Sequence, residues 1–82
     1  MIRKYIDRAM DQAKYEILPE DQSYYGEIPA CQGVFANCAT LEKCRKELEE
    51  ILEEWLLLRI YKNLSIPEID GITITIKEAS AA

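Results

Sequence analysis

Thr40-Leu41-Glu42-Lys43-Cys44-Arg45-Lys46-Glu47-Leu48-Glu49-Glu50-Ile51-Leu52-Glu53-Glu54-Trp55-Leu56-Leu57-Leu58-Arg59-Ile60-Tyr61-Lys62 is the stretch on which the fold turns. At about 100° per residue, Leu41, Cys44, Leu48, Ile51, Leu52, Trp55 and Leu58 fall on one stripe. Glu42, Lys43, Lys46, Glu47, Glu49, Glu50, Glu53 and Glu54 take the other side, so the segment reads as an amphipathic helix. Thr40 is a good N-cap, and Glu42 sits in the positive first turn. Asn63 suits the left-handed position that ends a helix. The predicted helix runs from Leu41 to about Lys62 and is about 33 Å long. One apolar stripe with Trp55 in it requires another layer to cover it.

Upstream lie the segments that supply that layer. Ile2, Tyr5, Ile6, Ala9, Met10 and Ala13 share one face of a short helix over 2–13. Lys14–Leu18 reads as a strand stopped by Pro19, and Glu20-Asp21-Gln22-Ser23 as a polar turn. Tyr24–Ile28 is a second strand ended by Pro29, and Val34–Asn37 a third after the connection Ala30–Gly33. Short polar connections make these three an antiparallel meander. Downstream of the long helix, Asp70-Gly71 turns and Ile72-Thr73-Ile74-Thr75-Ile76 alternates with period two, as a fourth strand. The expected fold class is α+β in the order α-β-β-β-α-β, with the long helix on one sheet face. It forms a single domain over 1–82: a helical extension over 1–13, a core over 14–76 and a tail over 77–82.

An 82-residue chain with 49% hydrophobic and 30% charged residues has the composition of one small folded domain. Its longest apolar run is Trp55-Leu56-Leu57-Leu58, far from the roughly 20 residues of a membrane helix. Arg3, Lys4, Asp7 and Arg8 interrupt the start, so no secretory apolar segment follows and a cytoplasmic location is expected. The net charge of −5 is uneven. Residues 15–42 hold no Lys or Arg but carry Glu16, Glu20, Asp21, Glu27 and Glu42. Such a span argues against nucleic acid, whose binding needs Lys and Arg against phosphates, and suits a basic protein partner.

Histidine is absent, which excludes Ser–His and Cys–His nucleophile pairs and His-ligated zinc. No phosphate-binding glycine loop is present, so no enzyme activity, metal or cofactor is expected. Cys31, Cys38 and Cys44 lack a C-x2-C pair and read as small buried residues rather than thiolate ligands. Asp21 with Glu16, Glu20 or Glu27 reads as solvated carboxylates rather than a magnesium-binding nuclease pair. Tyr24 and Tyr25 are adjacent in a strand, so one points to the core and one outward.

Gly26-Glu27-Ile28-Pro29-Ala30-Cys31-Gln32-Gly33-Val34-Phe35-Ala36-Asn37-Cys38-Ala39-Thr40-Leu41-Glu42 resembles the signature of the HicB-like antitoxin family. Pro29, Gly33 and Thr40-Leu41-Glu42 match at the family's spacing, and Glu53-Glu54-Trp55-Leu56 resembles its usual helix end. Gln32 stands where a second Pro is common, Cys38 where a Gly is, and Cys44 where an Ala is. The resemblance covers residues 13–76 and the family's N-terminal domain alone, without a C-terminal DNA-binding module. It implies a partial RNase H-like sheet lacking catalytic carboxylates. It further implies a regulator that blocks HicA, a small basic toxin that cleaves mRNA using a histidine.

On that reading Glu16, Glu20, Asp21, Tyr25 and Glu27 form the partner-binding set. The competing reading is a double-stranded-RNA-binding module, which shares the α-β-β-β-α order and would use Lys43, Arg45 and Lys46. Near the end of the long helix Leu56 leaves the stripe, and so do Leu57, Ile60 and Tyr61, so the apolar face swings round and leaves the last three beyond what a lone sheet covers. Ile2, Tyr5, Ile6 and Met10, from the same chain or a second copy, are the matching surface. A homo-oligomer built on these seven residues is expected.

Overall fold

In the computed structural model, which describes residues 2–74, the first five elements of the expected order, α-β-β-β-α, are found. The elements are α1 (Ile2–Asp11), β1 (Lys14–Ile17), β2 (Tyr24–Glu27), β3 (Phe35–Cys38) and α2 (Leu41–Tyr61). The strands form an antiparallel meander in the order β1-β2-β3. Glu16 lies opposite Tyr25 and Tyr25 opposite Asn37, while Lys14 and Phe35 flank Glu27. Pro19 ends β1 as expected, and the turn is closed by Leu18 N–H to Ser23 O at 2.8 Å and Gln22 N–H to Leu18 O at 2.9 Å. β3 starts one residue later than the sequence suggests. Val34 instead closes the β2–β3 connection, donating to Cys31 O at 3.1 Å and accepting from Ile28 N–H at 3.3 Å. Gly33, at φ 96°, supplies the left-handed step that this connection needs.

Both ends of α2 follow local chemistry. Thr40 is extended, and its hydroxyl accepts from Lys43 N–H at 3.2 Å. At the other end Asn63 adopts φ 58°, as its sequence position suggests. Its N–H reaches Ile60 O at 3.2 Å and Leu64 N–H reaches Arg59 O at 2.8 Å, the paired bonds of a Schellman end.

The buried row of α2 is Cys44, Leu48, Leu52 and Leu56. It differs from the expected stripe: Leu41 and Leu58 are exposed, Ile51 and Trp55 are half-buried, and Leu56 is buried. The helix packs along an i, i+4 ridge, and such a ridge drifts about 40° per step away from a straight stripe. Trp55 accordingly lies on the rim, with the Arg59 guanidinium 4.8 Å above its ring.

α2 packs on β2 and β3, and α1 packs on α2. Tyr5, Ile6, Ala9 and Met10 of α1 are buried in the same core as Ile28, Val34 and Leu52. Tyr5 is 0% exposed and donates its hydroxyl to Pro67 O at 2.6 Å. Its oxygen also lies 3.8 Å from Cys31 Sγ. α1, the β2–β3 connection and the segment after α2 thus meet at one phenol, whose ionisation burial pushes well above the ordinary tyrosine range. The expected fourth strand over Ile72–Ile76 is reduced, among the described residues, to one bridge between Ile69 and Ile72. Asp70 and Gly71, at φ 50° and 76°, reverse the chain so tightly that Ile72 pairs back onto its own arm. Thr75, Ile76 and the tail 77–82 lie outside the described residues.

Gly26 lies under α2 with no room for a side chain. A Cβ there would stand 2.7 Å from Tyr15 Cδ1 and 3.2 Å from Cys44 Sγ. Gly26→Ala is expected to destabilise the fold by about 1–3 kcal/mol through overpacking. Urea denaturation checks it: the midpoint falls while the slope stays unchanged.

Candidate functional site

Strand alternation divides the sheet into two faces. Tyr15, Tyr24, Gly26, Ala36 and Cys38 face α2, and Tyr15, Tyr24 and Cys38 pack against the core. Lys14, Glu16, Tyr25, Glu27, Phe35 and Asn37 share the opposite face. Among the described residues no element packs over that second face. The two adjacent tyrosines separate as expected, Tyr24 inward and Tyr25 outward.

Tyr25 and Phe35 stack diagonally across β2 and β3, ring centroids 6.2 Å apart and planes 27° apart. Phe35 stays 54% exposed. The Tyr25 hydroxyl donates to Glu27 Oε1 at 3.2 Å. Desolvation first, then that bond and the charges of Glu27 and Glu16, raise the Tyr25 ionisation above its ordinary range. Asn37 Nδ2 donates to Ser23 Oγ at 2.8 Å and Tyr24 O at 2.9 Å, which fixes the end of β3 against the β1–β2 turn. Beside the aromatic pair lies a depression of about 350 Å³ whose walls include Pro29, Gln32 and Gly33.

Of the five expected partner-binding residues, Glu16, Tyr25 and Glu27 come together on this open face. Glu20 and Asp21 sit apart, exposed at the β1–β2 turn. Asp21 Oδ1 accepts from Ser23 N–H at 3.0 Å, and hydrogen bonding by the Ser23 side chain first, then by that N–H, holds its carboxyl below the usual range. Phe35 was not in the expected set. Its signal is the alternation Val34-Phe35-Ala36, in which inward Val34 and Ala36 force the phenylalanine outward.

The other expected surface is divided. Tyr5, Ile6 and Met10 are buried inside the chain and are therefore not on its surface. Leu57 and Tyr61 are 61% and 87% exposed, Ile2 is exposed, and Ile60 is half-buried. α1 covers the buried row of α2 but leaves its outer side open. Lys43, Arg45 and Lys46 are exposed near the start of α2 among Glu42, Glu47 and Glu50, so the bases share their face with acids.

Among the described residues no group of three His, Cys, Asp or Glu is arranged to hold a metal ion. Cys31 and Cys44 are buried as expected, whereas Cys38 is half-exposed. Its thiol donates to Glu47 Oε2 at 2.9 Å. The Glu47 hydrogen bond, with burial and the Glu47 charge behind it, pushes the thiol up to about 11.

Over residues 4–67 the sequence matches the family model described as UPF0150-like. The chain belongs to the UPF0150-like family. The match takes in most of α1, in keeping with the place of Tyr5 in the core, and ends at Pro67. This UPF0150-like chain is also similar to TTHA0281 from Thermus thermophilus, known from a crystal structure. The two share 33% identity over 94% of this chain and 95% of that one, with a TM-score of 0.85. No curated protein matches the chain.

A thiol raised to about 11 carries little thiolate near neutrality, so Cys38 is expected to alkylate slowly despite its exposure. Glu47→Gln removes the charge that opposes ionisation. Iodoacetamide rates between pH 7 and 10 should rise in that variant, with the midpoint moving down toward the ordinary thiol value.

Proposed function

We propose that this UPF0150-like chain is a non-catalytic regulator that binds a small basic protein across its open sheet face, as a HicB-type antitoxin binds a HicA-type mRNA interferase. The carrying observation is the uncovered face itself, where Tyr25 and Phe35 stack beside Glu27 and Glu16. Exposed rings give a partner apolar area to bury, and the carboxylates steer a basic one toward it. The base-free span 15–42 extends the acidic field to Glu20 and Asp21. The motif from Gly26 to Glu42 adds the family likeness, and with it a reading of the meander and α2 as a partial RNase H-like sheet working in the cytoplasm.

Oligomerisation belongs to the same reading. Leu57, Ile60 and Tyr61, on the outer side of α2, and Ile2 are the apolar surface for a second copy. A two-fold pair of chains would present two open faces to two partners.

Co-expression with a HicA-type interferase of its own genome is expected to relieve growth arrest and yield a stable complex. Failure of every such interferase to bind the folded chain would contradict the antitoxin reading. Glu20→Lys with Asp21→Lys should slow association and flatten its salt dependence, as read by stopped-flow mixing at several ionic strengths. Light scattering at tens of micromolar should show an oligomer that Leu57→Glu dissociates without loss of helical circular dichroism.

A further inference from the structure

We propose that Phe35, Tyr25 and Glu27 form a seat for one arginine side chain of the protein partner. The seat rests on the protein-binding reading above and names the chemical group that the open face takes.

Phe35 carries no polar atom in its side chain, yet over half of its surface is exposed on a sheet face that no described element covers. Its occupant must therefore present a flat, weakly hydrated surface. Glu27 is the register partner of Phe35, so a carboxylate stands directly beside the ring. The Tyr25 hydroxyl engages Glu27 at Oε1, which orients the carboxylate while leaving it further acceptor capacity. Glu16, opposite Tyr25, adds a second negative charge. Among the described residues of the three strands, Lys14, opposite Glu27, is the one base on this face, set on the β1 side away from Phe35.

A guanidinium meets each of these features: it is planar, stacks on aromatic faces and donates two parallel N–H bonds to a carboxylate. A lysine ammonium is compact and strongly hydrated, so it gains the charge attraction without the stacking. A nucleobase would stack equally well on Phe35, but its phosphates would then face Glu16 and Glu27. The adjoining depression of about 350 Å³ has room for a side chain and not for a folded element. The chain already makes one such pairing internally, with Arg59 4.8 Å above the Trp55 ring.

The test is an NMR titration of the full chain with two blocked peptides identical except for three Arg or three Lys, and with an eight-nucleotide oligouridylate. The Arg peptide is expected to shift the Tyr25 and Phe35 ring resonances and to bind about two- to fivefold more tightly than the Lys peptide. Phe35→Ala should remove that preference, and Glu27→Gln should weaken both peptides. Equal affinity for Arg and Lys, or no ring shift with either, overturns the seat. Ring shifts with oligouridylate and not with the Arg peptide overturn it in favour of a base-stacking platform. The antitoxin reading fails separately. Arg-specific ring shifts in a chain that binds no HicA-type interferase support the seat and remove that reading. Interferase binding unaffected by Phe35→Ala removes the seat alone.

Discussion

A 21-residue helix lying on strands of four residues each overhangs its sheet, and the arrangement of the chain follows from that mismatch. The helix is about 31 Å long, whereas a four-residue strand spans about 13 Å. The sheet meets α2 at Cys44, wedged over Gly26 with its thiol toward Ala36 O at 3.5 Å. α1 supplies a second wall for the row that continues through Leu48, Leu52 and Leu56. A helix of 10 residues is too short to hold by itself in water, so α1 depends on this burial as much as α2 does. Tyr5 then draws the segment after α2 back over the junction through Pro67. The exposed Arg3 bridges to Asp7 and Glu49 add little to this packing.

Both helices lie on one side, and among the described residues no element covers the other side of the sheet. A three-stranded sheet needs only one buried face to be stable, so folding does not require the open face to be covered. Its content is unusual for a solvated face. Two stacked rings, one of them more exposed than buried, stand among Glu16, Glu27 and Lys14. An apolar centre with a charged surround is the arrangement that the proposed protein-binding role would use.

Much of this was legible in the sequence, for identifiable reasons. Caps are local, so Thr40 and Asn63 marked both ends of α2 correctly. Pro19 and Pro29 bounded the strands because a missing N–H cannot extend a ladder. The buried side of α2 was less legible, since periodicity reports an average stripe and cannot report which ridge meets the sheet. Leu56 and Trp55 therefore exchanged places, one going into the core and the other to the rim. Charge and alternation single out Glu16, Tyr25 and Glu27, which share the open face, but only the register with β2 shows that Phe35 stands beside Tyr25. Of the period-two run Ile72–Ile76, the described part shows Ile72 bridged to Ile69; alternation says that a segment is extended and not what it pairs with.

Chemical-shift mapping of the isotope-labelled chain, as a HicA-type interferase is added, tests whether the open sheet face is the binding surface. The largest shifts are expected at Glu16, Tyr25, Glu27, Phe35 and Asn37, with the buried row of α2 unmoved. Shifts centred on Lys43, Arg45 and Lys46 of α2, with the open sheet face unchanged, would contradict that expectation.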